Sequence, residues 1–554
     1  MHADAVALHK ILNGNIQMII PIFQRSYSWK PEQIETLWED INKVYKGTLN
    51  DKTTHFLGPI VRIELPTRSS TDTRKLYLID GQQRIITLMI LLACIRDVFK
   101  HDDDAIVRKI ESGYLLNYEE EENRFKLVPS ESDKENFKKI ILGIDGLTDS
   151  RLKETFDFFT DKLFKGKKEL DLERLRGIVI NNLIIVSIDM DKDENPYIIF
   201  ESLNAKGMLL TQADLIKNYI FMKIGDEKNQ KQLYRDYWHP MENLLGDDLD
   251  MFFWRYFLKE GNFVKIKRTY ANLKFELEVD TEKSVEKELK KLHKYSKYYS
   301  RLINPEKEPE EKLKSRFIRH KCWEIGTAHP FLLNIYKDYS ENNISLGQFC
   351  EILDIIEAFV IRRFFCRYPS NKLNKLFISL YTKLGKNNIV DSLKSSLTDE
   401  CPVDVQFKQG LKTFPIYTSG RDKTFLILET LENALHPKEP VEYKKPQIEH
   451  IMPQVEKDPE RLPSEWKKIL GENYKKIYTT YIHTLGNLTL TGYNQELFTK
   501  PFNLKKRYLS KSPLALNRYF DNVDKWDEEE IIKRSERLIE IAVKTWKYVG
   551  ISLF

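Results

Sequence analysis

The alternation of hydrophobic and polar residues predicts mixed helix and strand in the first part of the chain. Apolar residues recur every three or four positions from Ile34 to Tyr45, directly behind Pro31, which is typical of an amphipathic helix with one buried face. Residues 75–80 (KLYLID) have the pattern of a strand, and they run through Gly81 into a long apolar stretch that predicts a buried helix. A strand, a glycine turn and a buried helix therefore follow one another here.

Further along the chain the pattern becomes mainly helical. Residues 183–191 (LIIVSIDMD) predict one more strand, and Thr211 with Asp214 three residues later predicts a capping box that opens the next helix. Residues 220–440 read as mostly helical, and a Pro- and Lys-rich segment at 436–447 marks the start of a third region. We therefore expect a mostly helical, multi-domain α+β protein with domains at residues 1–220, 221–435 and 436–554.

Composition narrows the class of protein. The 554 residues are 41% hydrophobic, which is enough for several packed cores and excludes wholesale disorder. The 88 Lys and Arg nearly balance the 83 Asp and Glu, so any basic surface is local. Five cysteines without a CxxC pair argue against a disulfide framework or a zinc ribbon. The longest apolar run, 85–95, is shorter than the ~20 residues that cross a bilayer, and no secretory signal is recognisable, so we expect a cytoplasmic protein without membrane contact.

The strongest chemical signal lies in the third region. Glu449 and His450 end a short predicted strand, and Asn487 and Asn494 follow in a second strand and its turn. A neutral imidazole accepts a proton from water near neutral pH, which makes His450 a candidate general base for phosphodiester hydrolysis. Glu449 and Asn494 offer the oxygen ligands that Mg²⁺ or Mn²⁺ prefers, while the Asn487 amide would hold the local backbone in place.

A basic stretch without any acidic residue, 498–518, follows these motifs directly. Such a stretch is typical of a surface that contacts the phosphates of nucleic acid. The candidate DNA-binding residues are Lys500, Lys505, Lys506, Arg507 and Lys511. Two plainer interpretations remain open, since a lone histidine is usually structural and a basic helix face is often only solvated.

A second candidate site lies where the strand at 75–80 meets its helix. Free backbone N–H groups and the positive end of the helix dipole meet there, Gly81 allows close approach, and Arg84 can hold a phosphate through two hydrogen bonds. These features favour a nucleoside triphosphate, although the sequence has no GxxxxGK[ST] P-loop. The candidate nucleotide-binding residues are Asp80, Gly81, Gln82, Gln83, Arg84, Asn204 and Lys217. The alternative is that this segment is only a helix-capping turn.

Residues 21–29 (PIFQRSYSW) carry polar and aromatic groups suited to a nucleotide base or to modified DNA. Gln24 and Arg25 offer directed hydrogen bonds and charge, while Tyr27 and Trp29 offer flat stacking surfaces. Packing of the two aromatic rings against the first helix is the alternative, and for Asp214 a capping role is the alternative to bracing the pocket.

Together these motifs resemble a known family at both ends of the chain. IEHIMPQ, LGNLTLTGYN and PFNLKK are similar to the HNH-type, ββα-metal nuclease domain at the C-terminus of GmrSD-type, modification-dependent (type IV) restriction enzymes. PIFQRSYSW, LIDGQQRIITL and FESLNAKGMLLTQADLIKN resemble the N-terminal domain of that family, which is similar to the ParB and sulfiredoxin fold. The resemblance implies NTP binding and hydrolysis in the N-terminal domain, joined by a helical middle to the nuclease domain.

For the nuclease site, the resemblance implies His450 as the general base, Glu449 and Asn494 near the metal ion, and Asn487 as the central HNH asparagine. Asn503 is a rival of Asn494 for the third position. The expected activity is that of an endonuclease regulated by GTP, ATP or CTP, similar to GmrSD and SspE, which senses modified double-stranded phage DNA and nicks or cleaves it, with a homo-oligomer as a possible assembly. The alternatives are a nucleotide-switched DNA-binding protein with an inactive nuclease module and a toxin-like, non-specific nuclease.

Overall fold

The computed structural model describes residues 2–22, 24–47, 54–65, 73–100, 103–117, 122–166, 170–190, 211–224, 226–277, 282–385, 388–435, 446–455 and 458–550. The chain divides into two compact units. Unit 1 contains residues 1–240 and 270–290, and unit 2 contains residues 241–269 and 291–554. The protein is mostly helical with a mixed sheet in unit 1, which confirms the predicted multi-domain α+β class.

Within the described ranges, the sheet of unit 1 has six strands in the order β1-β6-β3-β4-β2-β5. They are β1 (His2–Ala7), β2 (Ile16–Ile19), β3 (His55–Glu64), β4 (Arg74–Asp80), β5 (Leu127–Val128) and β6 (Leu183–Met190). The β1–β6 and β3–β4 pairs are antiparallel, and the other neighbours are parallel. β4 and β6 confirm the two predicted strands, and β3 lies between them.

Helices cover this sheet and form the core of unit 1. The helices that begin before residue 235 are α1 (Leu8–Leu12), α2 (Pro31–Tyr45), α3 (Gln82–Phe99), α4 (Asp104–Ile110), α5 (Lys134–Leu142), α6 (Arg151–Gly166), α7 (Leu172–Asn181), α8 (Gln212–Met222) and α9 (Glu227–Leu233). α3 is buried around its circumference because apolar residues occupy nearly every position from Ile85 to Ile95. α2 begins at Pro31 and buries one face, as predicted. Thr211 and Asp214 form the predicted capping box at the start of α8.

The remaining helices confirm the helical region predicted for the middle of the chain. They are α10 (His239–Leu245), α11 (Leu249–Leu258), α12 (Thr269–Leu277), α13 (Glu282–Ile303), α14 (Glu311–Cys322), α15 (His329–Ser340), α16 (Leu346–Phe365), α17 (Asn371–Lys383), α18 (Ile389–Leu397), α19 (Asp404–Thr413), α20 (Arg421–Leu435), α21 (Ser464–Leu470), α22 (Tyr474–Tyr481), α23 (Asn494–Leu497), α24 (Phe502–Leu509) and α25 (Glu528–Thr545). Among the described helices, none combines the length and the apolar character needed to cross a bilayer.

The predicted boundary near residue 435 does not separate two compact units. The Glu432 carboxylate on α20 accepts hydrogen bonds from the backbone N–H groups of Ala515 (2.7 Å) and Leu516 (2.8 Å). The buried Arg362 guanidinium on α16 donates to the backbone carbonyl of Trp546 (2.8 Å). Such buried, charge-assisted contacts join the late helical region to the C-terminal region. Residues on both sides of position 435 thus fall in one compact unit, and the division into three domains stays a prediction.

Unit 2 also contains a small two-stranded sheet that carries the predicted nuclease motif. β7 (Gln447–His450) and β8 (Leu488–Thr491) are antiparallel, with His450 opposite Leu488. A hydrophobic core that includes Met452, Trp466 and Trp526 lies beneath them. α21 and α22 lie between β7 and β8 in the chain, and α23 and α24 follow β8. The ββα-metal and ParB-like folds themselves stay predictions.

Candidate functional site

The predicted general base lies at the end of a strand and is almost wholly buried. His450 is the last residue of β7, and its side chain has an exposed fraction of 7%. Its Nε2 lies 3.3 Å from Nδ1 of His483. The Tyr417 ring packs edge-on against His450 and is stacked on His483, with ring centroids 4.5 Å and 5.5 Å apart respectively. The imidazole of His450 therefore has a fixed orientation.

Burial controls the charge of this imidazole. Burial, together with the neighbouring His483 and Lys505, lowers the pKa of His450 to about 3. Burial also lowers the pKa of His483 below its usual value. Removal of water disfavours the protonated ring, so His450 is neutral at neutral pH. A neutral ring is the form that can accept a proton.

Asn487 holds the backbone that follows the histidine strand and the backbone that precedes its own turn. Its Nδ2 donates to the carbonyls of Met452 and Ile482, both at 3.1 Å, and its Oδ1 accepts from the Met452 N–H at 2.8 Å. Trp526 Nε1 donates to the same Oδ1 at 3.1 Å. The amide is fully buried, and all of these partners are within hydrogen-bonding range. Asn487 therefore fixes the chain that follows His450.

A buried arginine supports the Asn487 segment from below. Arg534 on α25 donates through Nη1 to the carbonyls of Gly486 and Leu488, both at 2.7 Å. Burial lowers its pKa to about 9. Gly486 allows this approach, because a Cβ there would lie 2.6 Å from the carbonyl oxygen of Ile531 on α25. The Leu485–Asn487 turn is thus clamped between β7 and α25.

The structure corrects the prediction for Lys505. The sequence analysis placed this lysine on a DNA-binding surface, but its side chain is fully buried. The ammonium lies 2.5 Å from Oε1 of Glu449 and donates to the carbonyl of His450 at 2.7 Å. The spacing of a basic stretch does not show which lysine faces inward, and here the face of α24 that packs on β7 carries Lys505. The lysine belongs to the interior of the site and not to its surface.

The ion pair with Lys505 also affects the pKa and the charge of Glu449. Burial raises the pKa of the Glu449 carboxyl, and Lys505 opposes that rise. Burial correspondingly lowers the pKa of Lys505, against the effect of Glu449. Two buried groups of opposite charge stabilise one another in their ionised forms. The carboxylate predicted as a metal ligand already has a cation bound to it.

The described residues do not assemble a metal centre. Across the described ranges, no group of three or more His, Cys, Asp and Glu side chains is placed to hold an ion. Asn494 begins α23, but its side chain lies outside the described part of the structure. Its rival Asn503 is exposed, and its Oδ1 accepts from the N–H of Leu504 at 2.8 Å. The predicted Mg²⁺ or Mn²⁺ site therefore stays a prediction.

The other residues of the basic stretch lie at the surface. Lys500, Arg507 and Lys511 are exposed, and Lys506 is half-buried with its Nζ 3.5 Å from a carboxylate oxygen of Asp524. Lys500 Nζ lies 5.4 Å from the centre of the Tyr508 ring. An exposed cation is free to contact a phosphate, so these positions keep their predicted role as candidate DNA contacts.

At the second candidate site, three glutamines hold one loop to another. Gln82 and Gln83, at the start of α3, donate to the carbonyls of Arg25 (3.2 Å) and Ser26 (3.1 Å), and Gln83 Oε1 accepts from the Ser28 N–H at 2.8 Å. Gln24 donates back to the carbonyl of Ile79 at 3.0 Å. All three glutamine side chains are buried. The amide nitrogens of all three glutamines bind backbone carbonyls and so hold the two loops together, while Gln82 Oε1 is buried without a hydrogen-bond partner among the described residues.

The two aromatic residues of this loop pack inward. Tyr27 is 4% exposed, its hydroxyl lies 2.7 Å from that of Thr87, and burial raises its pKa to about 12. Trp29 packs against the hydrophobic core of unit 1. The Tyr27 ring is therefore not an open stacking surface in this structure, while Trp29 is only partly buried and its predicted role stays a prediction. Burial of an aromatic ring stabilises the folded protein because it removes a large apolar surface from water. The sequence of the loop does not show which of its rings is buried in this way.

The charged groups of the two motifs meet beside Gly81. Asp80 Oδ1 accepts from the N–H of Gly81 at 2.7 Å, and Arg84 donates to the carbonyl of Pro59. Burial raises the pKa of Asp80, while the nearby Arg84 and Arg25 oppose that rise. Gly81 has a φ of +88°, and a Cβ there would lie 2.4 Å from Cγ2 of Ile60. Only glycine fits this position without moving β3.

Arg25 also lies near a second acid. Burial raises the pKa of Asp214, and Arg25 and Lys217 both oppose the rise. Lys217 is buried and donates to the carbonyl of Gln24 at 3.4 Å. Asn204 lies outside the described residues. These acidic and basic residues form the charged cluster, which consists of Asp80, Arg84, Arg25, Asp214 and Lys217.

Sequence reasoning missed several residues around His450. His483, Tyr417, Trp526 and Arg534 contact the site directly or through Asn487. Among these residues, only His483 could have been found from the sequence, because it lies four residues before Asn487 in HTLGN. Tyr417 and Arg534 are too distant in sequence for spacing to connect them with β7.

Comparison with protein families matches both ends of the chain. The model described as the N-terminal domain of GmrSD restriction endonuclease matches residues 8–221, and the model described as the C-terminal domain of GmrSD restriction endonucleases matches residues 401–541. The first range contains the charged cluster, and the second contains His450 and its partners. Comparison with curated proteins gives no significant match.

Both matches describe parts of a restriction endonuclease, a class of nuclease that has DNA as its substrate. The chain belongs to the GmrSD restriction endonuclease family, as the motifs predicted.

Proposed function

We propose that this protein is an NTP-regulated endonuclease that senses modified DNA and cuts the DNA of invading phage. The observation that carries the nuclease part is the His450 site, where a neutral imidazole lies at the end of a strand whose following backbone is held by Asn487. Exposed Lys500, Arg507 and Lys511 supply positive charge for double-stranded DNA in the same unit.

In the proposed reaction, His450 takes a proton from a water molecule. The water oxygen attacks the phosphorus while the bond to the 3′ oxygen breaks; the 3′ oxygen leaves as an alkoxide and takes a proton from solvent, and His450 then returns its own proton to solvent. With a pKa of about 3, His450 is a weak base in the free protein. The phosphates of bound DNA would raise that pKa, because negative charge stabilises the imidazolium. DNA binding would therefore activate the base.

Mg²⁺ or Mn²⁺ belongs to the proposal on the strength of the resemblance. Because Lys505 already binds the Glu449 carboxylate, an ion at Glu449 has to compete with the lysine or share the carboxylate with it. A plasmid-nicking assay in EDTA tests the requirement. We expect cleavage to stop in EDTA and to return on addition of Mg²⁺ or Mn²⁺, whereas undiminished cleavage would remove the metal from the proposal.

We further propose that the charged cluster binds and hydrolyses GTP, ATP or CTP. Arg25, Arg84 and Lys217 bring positive charge to the start of α3, where phosphates are favoured by the helix dipole. Asp80→Ala and Arg84→Ala are expected to lower NTP turnover. Arg74→Ala is the matched control, because Arg74 forms an exposed ion pair with Glu64. Unchanged turnover in both cluster variants would move the nucleotide site elsewhere.

The test of the nuclease site is His450→Ala. We expect this variant to lose plasmid nicking and to keep DNA binding, while His2→Ala, which removes a highly exposed histidine, keeps both. A His450→Ala protein that cuts as fast as the parent would contradict the assignment. Substrates of one sequence, unmodified, hydroxymethylated, glucosylated or phosphorothioated, then show whether modification triggers or blocks cutting.

One observation favours a second candidate function. The ion pair of Lys505 with Glu449 occupies a predicted metal ligand, which is what a nucleotide-switched DNA-binding protein with an inactive nuclease module would show. Such a protein would bind DNA in an NTP-dependent way and would show no nicking with Mg²⁺ or Mn²⁺ under any condition. The nicking assay above separates the two functions.

A further inference from the structure

Phe498 is an exposed aromatic residue with a strained backbone. It joins α23 to α24, 74% of its surface is exposed, and its φ is +27°. A positive φ is unfavourable for a bulky residue and persists only where something compensates for it. Packing of the ring does not compensate here, because the ring is in solvent. The stability of the fold therefore gives no reason for a phenylalanine at this position.

The surroundings of Phe498 are aromatic and basic. The Tyr493 and Tyr508 rings lie 5.8 Å apart, and Lys500 Nζ lies 5.4 Å from the centre of the Tyr508 ring. Both tyrosines are only partly buried, and Lys500 is exposed. From position 498 to 518 the sequence has no acidic residue. Phe498 thus begins a segment of the sequence in which basic and aromatic residues alternate, directly after the exposed Glu496 and the buried Leu497.

The residues on either side of Phe498 connect it to the His450 site. Leu497, directly before Phe498, is fully buried in the core that also contains Ile451 and Met452. α23 packs on β7, the strand that ends at His450. α24 on the other side carries Lys505, which binds Glu449 and the His450 carbonyl. The backbone on both sides of Phe498 is therefore anchored to the candidate active site while the ring stays outside.

We propose that Phe498 stacks on a base of the bound DNA beside the strand that is cut. The inference rests on the proposed nuclease function and names a DNA contact of that site. Lys500, two residues along the chain, attracts the phosphates, and the exposed Phe498 ring supplies a surface on which any base can stack. The strained turn keeps the Phe498 ring exposed in the DNA-free protein. The ring can therefore bind DNA without a change in conformation. A base that is displaced from the duplex or unpaired can stack on the Phe498 ring more readily than a base that is stacked on its neighbours within the duplex.

Binding measurements with the full chain test this proposal. Phe498→Ala is expected to weaken binding of a fluorescent duplex roughly 5- to 150-fold, the range of one lost base–aromatic stack. The slope of affinity against salt should stay as in the parent protein, because no phosphate contact is lost. Arg507→Ala should instead lower that slope by about one. Phe275→Ala is the matched control, since Phe275 is 78% exposed on α12, in a segment with acidic neighbours.

A second variant separates stacking from folding. Phe498→Gly removes the ring and the strain together, so we expect a melting temperature no lower than that of the parent and DNA binding as weak as in Phe498→Ala. Phe498→Trp should keep the affinity, and its emission should be quenched by DNA containing a mismatch. Parent-like affinity in both Phe498→Ala and Phe498→Gly overturns the proposal. If the parent still nicks DNA in that case, the nuclease function stands and only the stacking role fails; absence of any DNA binding by the parent overturns both.

Discussion

His450 Nε2 and His483 Nδ1 lie 3.3 Å apart, which makes the two imidazoles partners in one hydrogen bond. One ring donates and the other accepts, so the bond fixes the orientation of His450 and couples its tautomer to that of His483. Stacking of Tyr417 on His483 restricts the second ring as well. His483 is therefore a positioning residue for the proposed base.

We expect His483→Ala to lower kcat for plasmid nicking roughly 10- to 100-fold with little change in KM, because a misplaced base slows the reaction without weakening DNA binding. His483→Asn should restore part of the rate, since its amide can replace one hydrogen bond. Steady-state nicking of supercoiled plasmid measures both constants. Full activity of His483→Ala would show that His450 does not depend on this partner.

Lys505 is expected to matter for stability more than for DNA contact. Lys505→Met leaves the buried Glu449 carboxylate without its counter-charge, and we expect the free energy of unfolding to fall by about 3–5 kcal/mol. The double variant Glu449→Gln/Lys505→Met should lose less than Lys505→Met alone. Urea unfolding gives the values. Lys511→Met, at an exposed position, is the control and should change stability by less than about 0.5 kcal/mol.

Gly14 is a matched control for Gly81, the glycine of the turn before α3. Their φ values are +88° and +87°, but a Cβ would meet Ile60 Cγ2 at 2.4 Å in Gly81 and nothing within 4 Å in Gly14. Gly14→Ala should cost about 1–2 kcal/mol, the price of the left-handed conformation alone. Gly81→Ala adds a steric clash and should cost about 1–3 kcal/mol more. Equal shifts of the two unfolding midpoints would mean that β3 accommodates the methyl group freely.

Buried histidines predict a loss of stability in mild acid. Burial, together with the nearby Arg255 and His320, lowers the pKa of His329 to about 3. Below pH 6.5 the unfolded chain takes up a proton on this histidine that the folded protein refuses, so its contribution makes stability fall as pH drops from about 6.5 towards 3. His329→Phe removes this term. Relative to the parent, the variant should gain about 1–3 kcal/mol between pH 7 and pH 4.5, measured by urea unfolding at each pH. A constant difference between the two proteins would place the folded pKa near its ordinary value.

Local patterns were sufficient for much of the fold and for the family. The helix from Pro31, the strand that ends at Asp80 and the capping box at Thr211 depend on neighbours within a few residues, and the structure has all of them. The motifs around Asp80 and His450 identified the family because their residue types and order are visible in the sequence itself.

Contacts between distant residues decided the rest. The glutamines after Gly81 bind a loop about 55 positions earlier, and Lys505 binds Glu449 56 positions away. Neither pairing has a signal in spacing, because hydrogen bonds and burial depend on which faces the tertiary fold brings together. The sequence by itself thus determined the helices, two strands, the family and the identity of the candidate base. Only the packing of β7, β8 and the helices around them decided that Lys505 faces inward, that His450 is neutral, and that His483 is its partner. The burial of Tyr27 was decided separately, by its contacts with α3 and α6 in unit 1.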